Sequence, residues 1–152
     1  MMKHTVYLCL GIVVSVIFIA LSFGGSANVY EQLSFNQEFN DELFSLGLYP
    51  TMAMLTVGMA WAIALLYYYV INSVLFDRWY HWLVMLLLAA VVTPAVCHVV
   101  CDAAMSRDGY DPGALLGQFA VQHVVFSILM FIIASFSIRW WSSNCRHTPL
   151  PQ

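Results

Sequence analysis

Residues 80–101 read YHWLVMLLLAAVVTPAVCHVVC, without a single Asp, Glu, Lys or Arg. A helix needs about 20 apolar residues to cross a hydrocarbon core about 30 Å thick, and this run is long enough. Hydrocarbon offers no water to backbone N–H and C=O groups, so a helix, which satisfies them internally, is the expected conformation. Three other stretches share the property: Thr5–Phe23, Thr51–Val74 and Gly113–Ile138. The short alternating segments that mark transmembrane strands are missing from the sequence.

Composition points the same way. The chain has 152 residues, 62% hydrophobic and only 9% charged, and its mean hydropathy is +0.81. A soluble domain carries about a quarter charged residues, and a small one has much surface to cover for its volume. A free-standing soluble domain, a disordered chain and a nucleic-acid binder are thereby excluded. The expected fold is an all-α integral membrane protein forming a single domain over residues 1–152. Four transmembrane helices, at 5–23, 51–74, 80–101 and 113–138, would form an antiparallel bundle with both termini cytoplasmic.

Local signals mark the helix ends. Gly24-Gly25 would end the first span. Pro50 would open the second, and Asp111-Pro112-Gly113 would start the fourth with an N-cap and a first-turn proline. Pro94 removes a backbone donor inside the third span, where a kink is expected. Lys3 and the small residues Gly25-Ser26-Ala27 resemble a secretory signal, but Thr5–Phe23 is longer than a usual signal core, so the first helix is expected to be retained.

Charge gives the orientation. Four crossings place the N-terminus, the turn around Asp77-Arg78 and the tail 142–152 on one side. That side holds Lys3, Arg78, Arg139 and Arg146 against Asp77 alone. The other holds Glu31, Glu38, Asp41, Glu42, Asp102, Asp108 and Asp111 against Arg107. The basic side is expected to be cytoplasmic, in a plasma or inner membrane. Phe76, Trp79, Tyr80, Trp82, Trp140 and Trp141 gather at that interface, and Tyr67-Tyr68-Tyr69 read as further anchors. The polar tail, with Pro149 and Pro151, is expected to be extended.

The largest piece outside the membrane is the outer loop 24–49. Asn36 or Asn40 would cap a short helix ending at Gly47, with Phe39, Leu43, Phe44 and Leu46 on its apolar face and Glu38, Asp41 and Glu42 on the charged one. Phe39, Leu43 and Phe44 either dock a partner or cap the chain's own bundle.

Polar residues within the spans are costly and therefore informative. His98 and Asp102 share one face of the third helix, and Cys97 and Cys101 a neighbouring stripe. The fourth helix carries Gln118, Gln122 and His123, at comparable depth in the outer half. The plain expectation is packing: His98 with Asp102, and the two glutamines and His123 as hydrogen-bonding glue between helices. The alternative is a metal or haem site built from His98, Cys101, Asp102 and His123. Diagnostic zinc spacings are absent from the sequence, and no cofactor is expected. Two cysteines one turn apart on a helix are poorly placed for a disulfide. Gly58 and Ala62 form a small-x-x-x-small pattern for close helix approach, either to a second chain or within the bundle. Met52, Met54 and Met59 read as adaptable packing.

The seven residues Asn72–Arg78 resemble the Asn…Asp-Arg element of lipoprotein signal peptidases. Those enzymes use two aspartates at the outer side, whereas Asp77 is expected on the inner side without an acidic partner, so no role carries over. A quinone-coupled disulfide oxidase would need cysteine pairs in the outer loops, which have none. The functional expectation is a non-catalytic membrane subunit: an anchor, scaffold or oligomeric pore component of a larger secretion- or transport-type complex. Its partners would be the lipid bilayer and itself or other membrane proteins. The alternative is a membrane redox or metal protein.

Overall fold

The computed structural model describes residues 2–23, 28–34 and 36–150, with side chains from His4 onward. Gly24-Gly25, the small-residue signal at 25–27 and Pro151 lie outside these. The described residues form helices and connecting turns, with no strand among them. Five α-helices follow in order: α1 Met2–Ala20, α2 Gln37–Ser45, α3 Leu48–Leu65, α4 Trp79–Asp108 and α5 Ala114–Ile138. A π-helical turn, Leu66–Ile71, extends α3. Three of these, α3 with its extension, α4 and α5, are long and apolar enough to cross a membrane, and α1 is a shorter apolar helix.

α5 is the centre of the bundle and packs on α1, α3 and α4, while α2 lies against α3. α1 and α5 approach each other closely at Gly11. A Cβ on Gly11 would collide with the Ser137 side chain. Nearby, Trp61 Nε1 donates to Ser15 Oγ (3.0 Å) and Ser15 Oγ donates to the Gly11 carbonyl (2.8 Å), tying α3 to α1. Gly58 plays no such part: it is exposed on α3, and a Cβ there would meet nothing within 4 Å. Ala62 is exposed as well. Of the two readings of this pair, packing within the bundle is not what the structure has, because both positions are exposed and Gly58 faces open space.

Several boundaries move. α4 continues beyond Cys101 to Asp108 and runs on through Pro94. Its last two turns carry exposed polar residues, Asp102, Ser106, Arg107 and Asp108, so solvated side chains lengthen the helix instead of ending it. Gly109, at φ 83°, stops it in the left-handed region that favours glycine. α5 starts at Ala114, after Gly113 at φ 50°. Asp111 Oδ1 accepts from the Gly113 N–H (3.1 Å), a turn that precedes the helix instead of capping it. α3 begins at Leu48, so Pro50 sits inside the first turn, where its missing N–H has no partner to lose.

The short outer helix has the expected cap: Asn36 Oδ1 accepts from the Phe39 N–H (2.9 Å). Phe39 and Leu43 are buried in the chain's own core, and Phe44 is 61% exposed. Of the two readings of this helix, Phe39 and Leu43 follow the one in which it caps the chain's own bundle, and Phe44 stays outside that contact.

Three segments distant in sequence meet at one end. His4 stacks on Trp140 (ring centroids 4.9 Å apart). Asn72 Oδ1, at the end of the π-helical turn, accepts from Ser142 Oγ (2.9 Å) and from the Asn144 N–H (3.0 Å). The Asn72 carbonyl accepts from Asn144 Nδ2 (2.6 Å). Tyr68 and Arg139 both donate to the Thr148 carbonyl, at 3.2 and 3.5 Å. The tail is therefore folded back under the bundle and not extended, because the loop and helix ends leave polar groups that it satisfies. Tyr67 and Tyr68 are buried, and Tyr69 Oη reaches the Ile138 carbonyl (3.4 Å).

Candidate functional site

The polar residues inside the bundle gather around Thr56. Its hydroxyl donates to the Met52 carbonyl one turn back (2.8 Å), which uses its only proton. The oxygen then accepts from His123 Nδ1, 3.3 Å away on α5. This network assigns the proton to Nδ1 and leaves Nε2 as a lone pair. His123 is fully buried, and Nε2 has no hydrogen-bond partner among the described residues. Cys97 Sγ lies 4.0 Å from the same Thr56 oxygen. The helices α3, α4 and α5 thus meet in one polar knot.

The loop between α1 and α2 closes over it. Asn28 Oδ1 accepts from the Tyr30 N–H (3.0 Å) and fixes the turn that carries Tyr30 inward. The Tyr30 ring lies 5.1 Å from His123, 5.0 Å from Phe126 and 5.9 Å from Tyr49. Its hydroxyl is buried without a hydrogen-bond partner among the described residues. Burial pushes its pKa well above the ordinary value, so it remains a neutral phenol. Tyr49 Oη donates to Asn40 Oδ1 (3.1 Å), which joins α2 to the same lid.

The residues singled out from sequence are distributed differently. His98 and Asp102 share a face of α4, but it is the exposed face. The inward stripe is Cys97, Cys101 and Met105. His123 is inside. The proposed quartet His98, Cys101, Asp102 and His123 is therefore split between the surface and the core. Among the described residues, no three His, Cys, Asp or Glu side chains come together as metal ligands would. All four cysteines are free thiols. Gln122 Nε2 donates to the Leu33 carbonyl (3.0 Å), pinning the loop before α2 to α5, and its Oε1 has no hydrogen-bond partner among the described residues. Gln118 is exposed, and with Gln122, Leu33, Phe39 and Phe119 it lines a groove of about 240 Å³ under that loop.

Thr56 and Tyr30 carry the knot, and neither stood out as a site residue in the sequence. A threonine in an apolar helix reads as a space-filling residue, and Tyr30 lies in a loop whose path depends on tertiary contacts. Chemically the knot offers an imidazole, a thiol, a phenol and a hydroxyl. No family model, curated protein or solved structure matches this chain.

Proposed function

We propose that this chain is a four-span subunit of a plasma or inner membrane, with both termini cytoplasmic, that works by association and not by catalysis. The four-span topology draws support from the contacts at one end of the bundle. His4 stacks on Trp140 at the end of α5, and the tail just beyond it is hydrogen-bonded to Asn72, so the first helix, the loop after α3 and the tail reach the same end of the bundle, as an even number of crossings would have it. Assignment of that end to the cytoplasm rests on the positive-inside bias of Lys3, Arg78, Arg139 and Arg146. The bond from Trp61 to Ser15 supports α1 as a permanent member of the bundle.

One observation carries the associative role. The small-residue face at Gly58 and Ala62 is open, with room beside it for another helix. Without a hydrophobic drive between helices in lipid, association depends on close backbone approach at such positions. An anchor, scaffold or pore-forming oligomer of a larger envelope complex uses a surface of this kind. Its partner is a second copy or another membrane protein.

The test is the mass of the complex in mild detergent. Wild-type protein is expected to migrate as an oligomer or with a fixed partner. Gly58→Leu, which fills empty space and leaves the chain's own packing intact, is expected to release the monomer. A wild-type chain that is already a clean monomer without a partner, under gentle extraction, would refute the associative role.

A further inference from the structure

A groove of about 230 Å³ runs between α1 and α5 near the end where the termini meet. Tyr7, Leu10, Val14, Ile132, Ile133 and Phe136 line it, and it is almost wholly apolar. Its rim belongs to three side chains that share the Trp140 ring. His4 stacks on the indole at 4.9 Å, Tyr7 at 5.9 Å, and the Arg139 guanidinium lies over it at 4.2 Å. Arg139 also lies 5.0 Å over Phe136, a wall of the groove.

The polar inventory of this rim is incomplete. Arg139 is only 6% exposed, and no carboxylate of the described residues pairs with it. Among the described residues its hydrogen bond is a long one, from Nη1 to the Thr148 carbonyl (3.5 Å). Arg139 Nε, Trp140 Nε1 and His4 Nδ1 are all buried without hydrogen-bond partners among the described residues. A buried cation without a counter-charge is costly, and cation–π contacts recover only part of that cost. Two donors of fixed direction and a ring nitrogen, grouped around one guanidinium beside an apolar channel, match a phosphodiester with an acyl chain attached.

The geometry points to a site for one anionic phospholipid of the cytoplasmic leaflet. An acyl chain occupies the α1–α5 groove. The phosphate binds Arg139 Nε and Trp140 Nε1, with His4 Nδ1 as a third contact. The half-buried Trp140 indole turns off the guanidinium to admit it. Guanidinium–phosphate contacts are charge-assisted and directional, which separates an anionic headgroup from a zwitterionic one of the same chain length. This inference rests on the membrane topology proposed above and is independent of any protein partner.

The full chain, purified in a non-ionic detergent, is mixed with equal amounts of palmitoyl-oleoyl phosphatidylglycerol and the matching phosphatidylcholine. Retained lipid is counted by native mass spectrometry. One phosphatidylglycerol is expected to be kept in preference, by about tenfold or more. Arg139→Gln is expected to erase the preference. Trp140→Phe, which keeps the ring and removes only the donor, is expected to reduce it severalfold with helicity unchanged. Arg78→Gln, which removes an exposed charge at the same interface, is expected to leave it intact. Equal retention of both lipids by wild type would overturn the site, as would losses from Arg78→Gln as large as those from Trp140→Phe. Whether the chain stays with the membrane pellet until detergent is added is scored separately. A chain that pellets but shows no lipid preference sinks this site and leaves the membrane reading standing. A chain soluble without detergent sinks both.

Discussion

His123 Nδ1 lies 3.3 Å from Thr56 Oγ1, and this contact joins α5 to α3 at a point where both side chains are fully buried. The Thr56 proton is already committed to the Met52 carbonyl, so the imidazole must be the donor. One hydroxyl therefore sets both the helix pairing and the tautomer.

Removing that hydroxyl should expose the dependence. Thr56→Val keeps the shape and strands the His123 N–H in an apolar interior, at a cost of about 1–2 kcal/mol. Thermal unfolding in detergent should show a lower Tm for Thr56→Val and a nearly unchanged one for Thr56→Ser. Equal Tm values for valine and wild type would mean that the contact holds nothing.

The two glycines should behave oppositely. Gly11→Leu drives a side chain into Ser137 and should separate α1 from α5, a loss of about 1–3 kcal/mol from overpacking. Gly58→Leu enters open space and should leave the Tm of the detergent-solubilised monomer unchanged. The comparison is one melting experiment on both variants. A stable Gly11→Leu would contradict the close approach.

The folded tail predicts a protected thiol. Cys145 is fully buried, and its N–H donates to Ser142 Oγ (3.1 Å), which is itself held by Asn72. Asn72 adopts φ 26°, in the left-handed region that asparagine tolerates better than alanine. In a Cys9→Ser background, a water-soluble maleimide should label Cys145 slowly in wild type. Asn72→Ala should label at least about tenfold faster, since it loses the clasp and strains the backbone. Rapid labelling of wild type would show that the tail does not dock.

A pH effect belongs to the surface where α2 meets the end of α4. Partial burial, then the facing Asp108 carboxyl, raises the Glu42 pKa above its ordinary value of 4.5. Glu38 and Asp111, with Glu42 itself, surround the nearby Tyr110 phenol and add to the negative field there. With its pKa raised on folding, the folded chain binds the Glu42 proton more tightly than the unfolded one. Stability is then highest below the ordinary carboxylate value and falls as pH rises through the raised one. Glu42→Gln should remove that fall and increase the Tm at neutral pH. A Tm profile from about pH 4 to about pH 7.5 that is identical for both proteins would deny the coupling.

The sequence made the local features legible and left the tertiary ones obscure. The Asn36 cap and the apolar face of α2 follow from neighbours within one helical turn, and both were readable. The apolar runs located the long helices within a few residues, although α4 outruns its apolar stretch because Asp102–Asp108 is solvated helix. The spacing of His98 and Asp102 gives a shared face but not its direction, because α4 is apolar nearly all round. The cysteine stripe turned inward instead. The knot at Thr56 and the clasp at Asn72 join residues 67 and 70 or more positions apart. No short-range pattern carries such pairings.

Sidedness is the direct test of the whole arrangement. A dual reporter, active as a phosphatase only outside the cytoplasm and as a fluorescent protein only within it, is fused after the last residue, and in a second strain inside the α4–α5 turn near Gly109. The terminal fusion should fluoresce and the Gly109 insertion should show phosphatase activity. A terminal fusion with phosphatase activity would place the clasped tail on the wrong side of the membrane and overturn the four-span topology.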